Sequence, residues 1–295
     1  MKSLSLKTQI LNQFREIAKW QPIESFLVER TQNRTLNSLF PKLIPNYYQY
    51  PSGTIRQAER NGVNFQLDIS DYMEYIIYYG INVEPRDKLY GLVKNGFVVL
   101  DIGANIGETL LNFAKINSKG RNIGFEPVPY IYSRLKKNLS LNNFSNIEIE
   151  NIALSDKNEQ LSFSIPKDQN SGGVRMRKEA HKSDYGADQE VRAIQLDDFL
   201  GEKGINKIDF IKMDVEGFEM NVLKGAENSL RKFLPVLFIE VDDVMLKQQE
   251  TSAAQLVEFV STLGYTVINA DTDSTVIVGD DLTNCHFDII CHPKK

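Results

Sequence analysis

From Phe97 onward the apolar positions fall into short runs separated by helical periods. Phe97-Val98-Val99-Leu100, Arg121 to Phe125, Ile147 to Glu150, Ile208 to Met213, Val236 to Val241, Tyr265 to Asn269 and Phe287 to Ile290 each read as a short strand. Between them, apolar side chains recur three and four residues apart: Leu110, Leu111 and Phe113, then Ile131, Leu135 and Leu139, then Leu256, Phe259 and Leu263. Apolar runs of this length suit strands covered on both faces, and strand–helix alternation predicts an α/β fold with a parallel, doubly wound sheet.

Residues 1–90 keep a different rhythm. Ile10, Phe14, Ile17 and Ala18 recur at helical spacing, which predicts an amphipathic helix packed by this face on the body of the protein. Pro41, Pro45 and Pro51, with Tyr47, Tyr48 and Tyr50, interrupt regular structure. Val63 to Leu67 alternates as a strand does, and Asp71 to Tyr78 reads as an aromatic-rich helix. The expected organisation is a helical cap or lid over 1–90 and a core domain over 91–295. An insertion at 160–194 interrupts that core. Leu161 to Ile165 and Val191 to Ile194 predict a hairpin flanking a polar loop, Pro166 to Glu190, with Ser171-Gly172-Gly173, Arg175, Arg177, Lys178, His181 and Lys182. So long a polar loop reads as a flexible connection or a substrate-covering flap, with His181 a weak candidate for contact.

Composition narrows the function. The chain has 295 residues and a net charge of −5, which argues against general nucleic-acid or anionic-membrane binding but leaves room for a local basic patch. No apolar run reaches the ~18 residues a membrane helix needs, and the N-terminus lacks the apolar block of a signal peptide. Two cysteines cannot build a disulfide framework, so a reduced, cytoplasmic protein is expected. Cys285-His286 and Cys291-His292 suggest zinc, but the cysteines and histidines would lie on opposite faces of one strand.

The densest chemistry lies at Asp101-Ile102-Gly103-Ala104-Asn105-Ile106-Gly107, where a buried strand ends in an acid and turns on glycine into a helix. Ligands of open α/β sheets bind at such strand ends. Gly103 is expected to keep ligand space clear of a Cβ, and Gly107 to let helix and strand pack closely. A dinucleotide site needs G-x-G-x-x-G, whereas Asn105 stands at the middle position here. Asp101 would repel a phosphate and suit an ammonium group. Glu126, at the end of the second strand, could accept from both ribose hydroxyls, and Asn151 and Ala153 could receive an adenine. Acids at both positions favour the sulfonium nucleoside S-adenosylmethionine over a dinucleotide.

These segments, together with Gly124-Phe125-Glu126-Pro127, Asn151 to Asp156 and above all Ile208 to Glu219, resemble the FkbM-type family of S-adenosylmethionine-dependent class I methyltransferases. The resemblance covers about residues 60 to 241 in blocks. It implies a Rossmann-like, seven-stranded sheet with an antiparallel last strand, and O-methylation, often of sugar or polyketide-derived hydroxyls.

Lys212, Asp214 and Glu216 place charge at the carboxyl end of the fourth strand, where core packing does not explain it. Asp214 and Glu216 would share one side of a continuing strand, with Gly217 ending it. Either acid is a candidate base or acceptor for a substrate hydroxyl, with Lys212 fixing their ionisation; Glu219 reads as a helix-start acid. Asp214 and Glu240 could instead hold Mg²⁺, as in some related methyltransferases, although a metal is not favoured. The leading expectation is O-methyl transfer to a small-molecule or glycan acceptor, not a nucleic acid. A non-catalytic adenosyl-binding scaffold is the alternative from another class.

Overall fold

The computed structural model describes residues 6–82, 86–166, 175–177 and 185–294. These form two compact units, the described residues up to 82 in one and those from 86 on in the other.

The first unit contains α1 (Leu6–Arg15), α2 (Gln21–Thr31), β1 (Ile55–Arg60), β2 (Val63–Asp68) and α3 (Tyr72–Tyr79). It is therefore not wholly helical. β1 and β2 pair antiparallel about Asn61-Gly62, both with positive φ, as a two-residue hairpin turn requires. Asp71 caps α3 by accepting from the Met73 and Glu74 amides, and Gly80 ends that helix at φ 62°. Val63, Phe65, Leu67, Ile76 and Tyr79 build the core of the unit. The expected burial of the α1 apolar face does not occur. Ala18 is buried, but Ile10, Phe14 and Ile17 are exposed, because the polar side of the helix faces the neighbouring 42–49 segment.

The second unit begins with α4 (Arg86–Gly91). There follow β3 (Val98–Ile102), α5 (Glu108–Ile116), β4 (Arg121–Phe125), α6 (Pro129–Ser140), β5 (Ile147–Glu150) and β6 (Ala153–Leu154). After these come β7 (Glu159–Pro166), β8 (Arg175–Arg177), β9 (Tyr185–Ile194), α7 (Leu196–Glu202), β10 (Phe210–Met213), α8 (Glu219–Gly225) and α9 (Glu227–Phe233). The unit closes with β11 (Val236–Asp242), α10 (Asp243–Gln248), α11 (Ala253–Thr262), β12 (Tyr265–Asn269), β13 (Thr275–Val276) and β14 (His286–Pro293).

The main sheet runs β13-β12-β14-β11-β10-β3-β4-β5. Strands β11, β10, β3, β4 and β5 are parallel, and β14 lies antiparallel to both β11 and β12. This is the expected doubly wound, Rossmann-like sheet with an antiparallel late strand. The two-residue β13 adds an eighth strand to the expected seven. Alternation along the strands fills both layers. Leu100, Ile102, Ile211 and Met213 join a core with Phe199, Leu223 and Leu256, while Val99 and Phe210 pack with Phe113 on the other face.

The insertion is a second sheet, ordered β6-β9-β7-β8. The polar stretch Pro166 to Glu190 is thus not a single loop, since β8 and the start of β9 lie within it and pair with β7. Ladder hydrogen bonds need no apolar side chains, so the pairing extends past the hydrophobic pattern. Ser171-Gly172-Gly173, Lys178, His181 and Lys182 lie outside the described residues.

Candidate active site

Parallel pairing of β3 and β10 sets Asp101 directly opposite Lys212. Both lie on the sheet face of Val99 and Phe210 and both are buried. Lys212 Nζ sits 3.6 Å from Asp101 Oδ1 and 3.2 Å from Asp214 Oδ2, and donates to the Gly103 carbonyl at 3.2 Å. Burial alone would drive Lys212 toward neutrality, but the Asp214 and Asp101 charges outweigh it and hold the ammonium above its ordinary range. Asp101 Oδ2 accepts from the Thr109 hydroxyl at 2.5 Å, and Oδ1 has no hydrogen-bond partner. Burial pushes this carboxyl up, opposed by Lys212 and Thr109. In the structure Asp101 faces Lys212. It is fully enclosed, and its cation is Lys212.

The turn that follows also has a different logic from the expected one. Gly103 has φ 81°, and a Cβ there would lie 1.8 Å from the Asp214 carbonyl oxygen. Its hydrogen clears the main chain at the end of β10 rather than ligand space. Gly107, at φ 92°, precedes α5, and a Cβ there would meet Leu135 of α6 at 2.5 Å. Close helix-to-strand packing falls instead at Gly124, where a Cβ would meet Leu110 of α5 at 2.5 Å. Asn105 takes φ 48°, a left-handed conformation for which asparagine is suited. Its amide donates to Glu126 Oε2 at 3.0 Å, while its buried Oδ1 has no hydrogen-bond partner.

Glu126 binds this turn to the next. Oε1 accepts from the Val128 amide at 2.9 Å, and burial raises the carboxyl to about 7 against the pull of these two amides. Asn151 donates its side-chain amide to the Glu126 and Pro127 carbonyls at 2.8 and 2.9 Å, and Ala153 is buried in β6. The structure thus links Asn105, Glu126, Pro127 and Asn151 at the carboxyl ends of β3, β4 and β5.

A second cluster occupies the ends of β10 and β11. β10 ends at Met213, so Asp214 and Glu216 do not share a strand face as expected. The chain turns through Glu216 at φ 55° and Gly217 at φ 97°, and a Gly217 Cβ would press on the Met245 carbonyl at 2.7 Å. Glu219 clamps this turn. Its Oε1 accepts from the Val215 and Gly217 amides at 3.0 and 3.2 Å, and burial raises the carboxyl to about 7. Asp214 is half-exposed, its side chain 41% accessible, and Glu216 is partly exposed beside it.

Glu240 hydrogen-bonds Asp214 from the adjacent strand, and the Asp214 charge, burial and the Glu216 charge push the Glu240 carboxyl up. His286 Nε2 lies 3.2 Å from Glu240 Oε1. A continuous row results: Asp101, Lys212, Asp214, Glu240, His286. Thr109, the clamp made by Glu219 and His286 were not foreseen as site residues. The spacing from Asp101 to Thr109, one strand end to the first turn of the next helix, carries a signal for the first. Antiparallel placement of His286 beside β11 carries none in local sequence.

Among the described residues no group of three or more His, Cys, Asp or Glu is arranged to hold a metal ion. Among them, too, no helix is long and apolar enough to cross a membrane.

The family model for the methyltransferase FkbM domain matches residues 101–267. The chain is 31% identical over 153 residues to the 2-O-methyltransferase NoeI of Sinorhizobium fredii, covering 48% of this chain and 62% of that protein. It is 27% identical over 202 residues to the 31-O-demethyl-FK506 methyltransferase FkbM of Streptomyces tacrolimicus, covering 60% of this chain and 75% of that protein. The hexuronic acid methyltransferase AglP of Haloferax volcanii is 28% identical over 134 residues, 45% of this chain and 52% of its own length. Among solved structures, methyltransferase FkbM of Methylobacillus flagellatus overlays with a TM-score of 0.43 at 17% identity, covering 75% of this chain and 55% of that one.

Proposed function

This chain belongs to the FkbM methyltransferase family, and from that premise we propose that it is an S-adenosylmethionine-dependent O-methyltransferase acting on a sugar or natural-product hydroxyl. The names of its relatives NoeI, FkbM and AglP, two of them O-methyltransferases and one acting on hexuronic acid, support that acceptor class. The observation that carries the chemistry is the row Lys212, Asp214, Glu240, in which the half-exposed Asp214 carboxyl is held between a buried ammonium and a carboxyl of raised proton affinity.

The residues at the first turn fit the cofactor. Glu126 spends one lone pair of each oxygen on an amide and keeps the others for two ribose hydroxyls. Asn105 Oδ1 is a buried acceptor without a protein donor, and Asn151 with Ala153 would border the adenine. Gly103 and Gly107 shape the turn, and Asp101 acts from behind it by fixing Lys212. When bound, S-adenosylmethionine supplies an electrophilic methyl group on a sulfonium.

Asp214 accepts the hydrogen bond of the acceptor hydroxyl and takes its proton as the new bond forms. Lys212 sets an ammonium beside Asp214, Glu240 shares a hydrogen bond with it, and Glu216 adds negative charge beside the pair. Holding the oxygen in line supplies the larger share of the rate, as orientation does in methyl transfer.

The decisive measurement pairs turnover with affinity in Asp214→Asn. With labelled methyl donor and a panel of sugars, kcat falls by about 10²–10⁴-fold. Calorimetric affinity for S-adenosylhomocysteine stays within about threefold, a difference of under 1 kcal/mol. Unchanged turnover, or loss of affinity, overturns the role of Asp214. Wild-type binding with no transfer to any acceptor supports the scaffold reading instead.

A further inference from the structure

Helix α1 is amphipathic and mounted in reverse. Its polar side is the one that holds the protein. Arg15 donates to the Lys42 carbonyl at 3.1 and 2.7 Å, Asn12 donates to the Tyr48 hydroxyl at 3.3 Å, and Gln49 donates to the Asn12 carbonyl at 3.1 Å. In the turn that continues the helix, Lys19 donates to the Gln49 carbonyl at 2.5 Å. The opposite side presents Ile10, Phe14, Ile17 and Trp20, which are 47, 69, 62 and 66% exposed. Rotating the helix to bury them would strip Arg15 and Lys19 of their main-chain acceptors, so the outward apolar face is built in.

An outward stripe of large apolar side chains marks a binding surface. Charge identifies the occupant. Residues 1–50 hold seven basic and three acidic side chains, while the remaining 245 hold 27 and 36. Arg30, Arg34 and Lys42 of this segment are exposed. A second copy meeting this face across a two-fold axis would set like charge on like. An apolar helix face with an aromatic belt and a local basic surplus matches the boundary of a negatively charged lipid layer. We propose that α1 and its continuation through Trp20 dock the protein on an anionic lipid surface, with the apolar stripe at the acyl–headgroup boundary and exposed cations of the same unit, Arg30 and Arg34, drawn to the headgroups.

Trp20 is the sole tryptophan of the chain, so selectively excited tryptophan emission reports on this face alone. Titration of the whole protein with vesicles of equal parts phosphatidylglycerol and phosphatidylcholine shifts its emission to the blue, and high salt weakens the effect. Phosphatidylcholine vesicles bind at least about tenfold more weakly. The double variant Phe14→Ser, Ile17→Ser lowers partitioning by about tenfold or more while its circular dichroism melt matches wild type, since both side chains are exposed. No shift, or an equal shift with phosphatidylcholine alone, overturns the proposal. A shift on concentrating the protein without vesicles also overturns it, by identifying a second copy as the occupant.

Discussion

Asp214 and Glu240 hydrogen-bond one another through their carboxyl groups from the ends of neighbouring parallel strands, where Met213 stands opposite Ile239 in register. Two carboxyls this close cannot both ionise without cost, so Glu240 holds its proton more tightly in the fold than in the unfolded chain.

That retained proton sets a pH dependence. Glu240 has a raised affinity for its proton in the fold, so its contribution favours the folded state at low pH. The contribution declines as pH rises past the unfolded value of about 4.3. Glu240→Gln keeps a donor toward Asp214 and removes the titration. Thermal melts at pH 8 are expected to show the variant more stable than wild type by about 1–3 kcal/mol, with the difference shrinking toward pH 4. A constant difference across that range would show that the pair does not share a proton.

Lys212 and Asp101 form a buried cross-strand pair. Lys212→Met leaves an uncompensated acid and is expected to cost about 3–5 kcal/mol in chemical denaturation. Adding Asp101→Asn should recover most of that loss, whereas additive losses would deny the coupling.

Gly103 meets the Asp214 carbonyl where a Cβ has no room. Gly103→Ala is expected to cost more than about 3 kcal/mol, through both positive-φ strain and displacement of the β10 end. Denaturant midpoints measure it. A neutral substitution would mean the two main chains can separate freely.

Glu126 rises to about 7 in the fold. Ribose hydroxyls donate to its ionised form, so affinity for S-adenosylhomocysteine should increase as pH rises from 6 to 8, by about tenfold. Calorimetry across that range tests the assignment, and Glu126→Gln should both weaken binding and flatten the profile. A profile that falls with pH would remove Glu126 from the ribose site.

The parallel sheet was legible because its strands are covered on both faces and so read as apolar runs. Asp101, Glu126 and Lys212 stand out in the sequence because charge at a buried strand end must be paired or hydrogen-bonded. What pairs with what was less so. Local spacing does not reveal that Lys212 lies opposite Asp101, or that His286 reaches Glu240 from a strand 46 residues away. The glycines show the same limit: φ > 0 can be read from a turn motif, but the Asp214 carbonyl beside Gly103 belongs to tertiary register. The α1 face was misassigned because periodicity gives a stripe without saying which way it points. The extent of β9 was missed because main-chain pairing leaves no hydrophobic trace.

β14 is inserted between β11 and β12 and bonds to both. During synthesis, therefore, β12 can emerge and pair with β13 yet have no route to the parallel strands until the ribosome has delivered His286 to Pro293. This half of the sheet closes like a zip whose slider arrives after both rows of teeth, and nascent chains halted before His286 would present two open edges to chaperones.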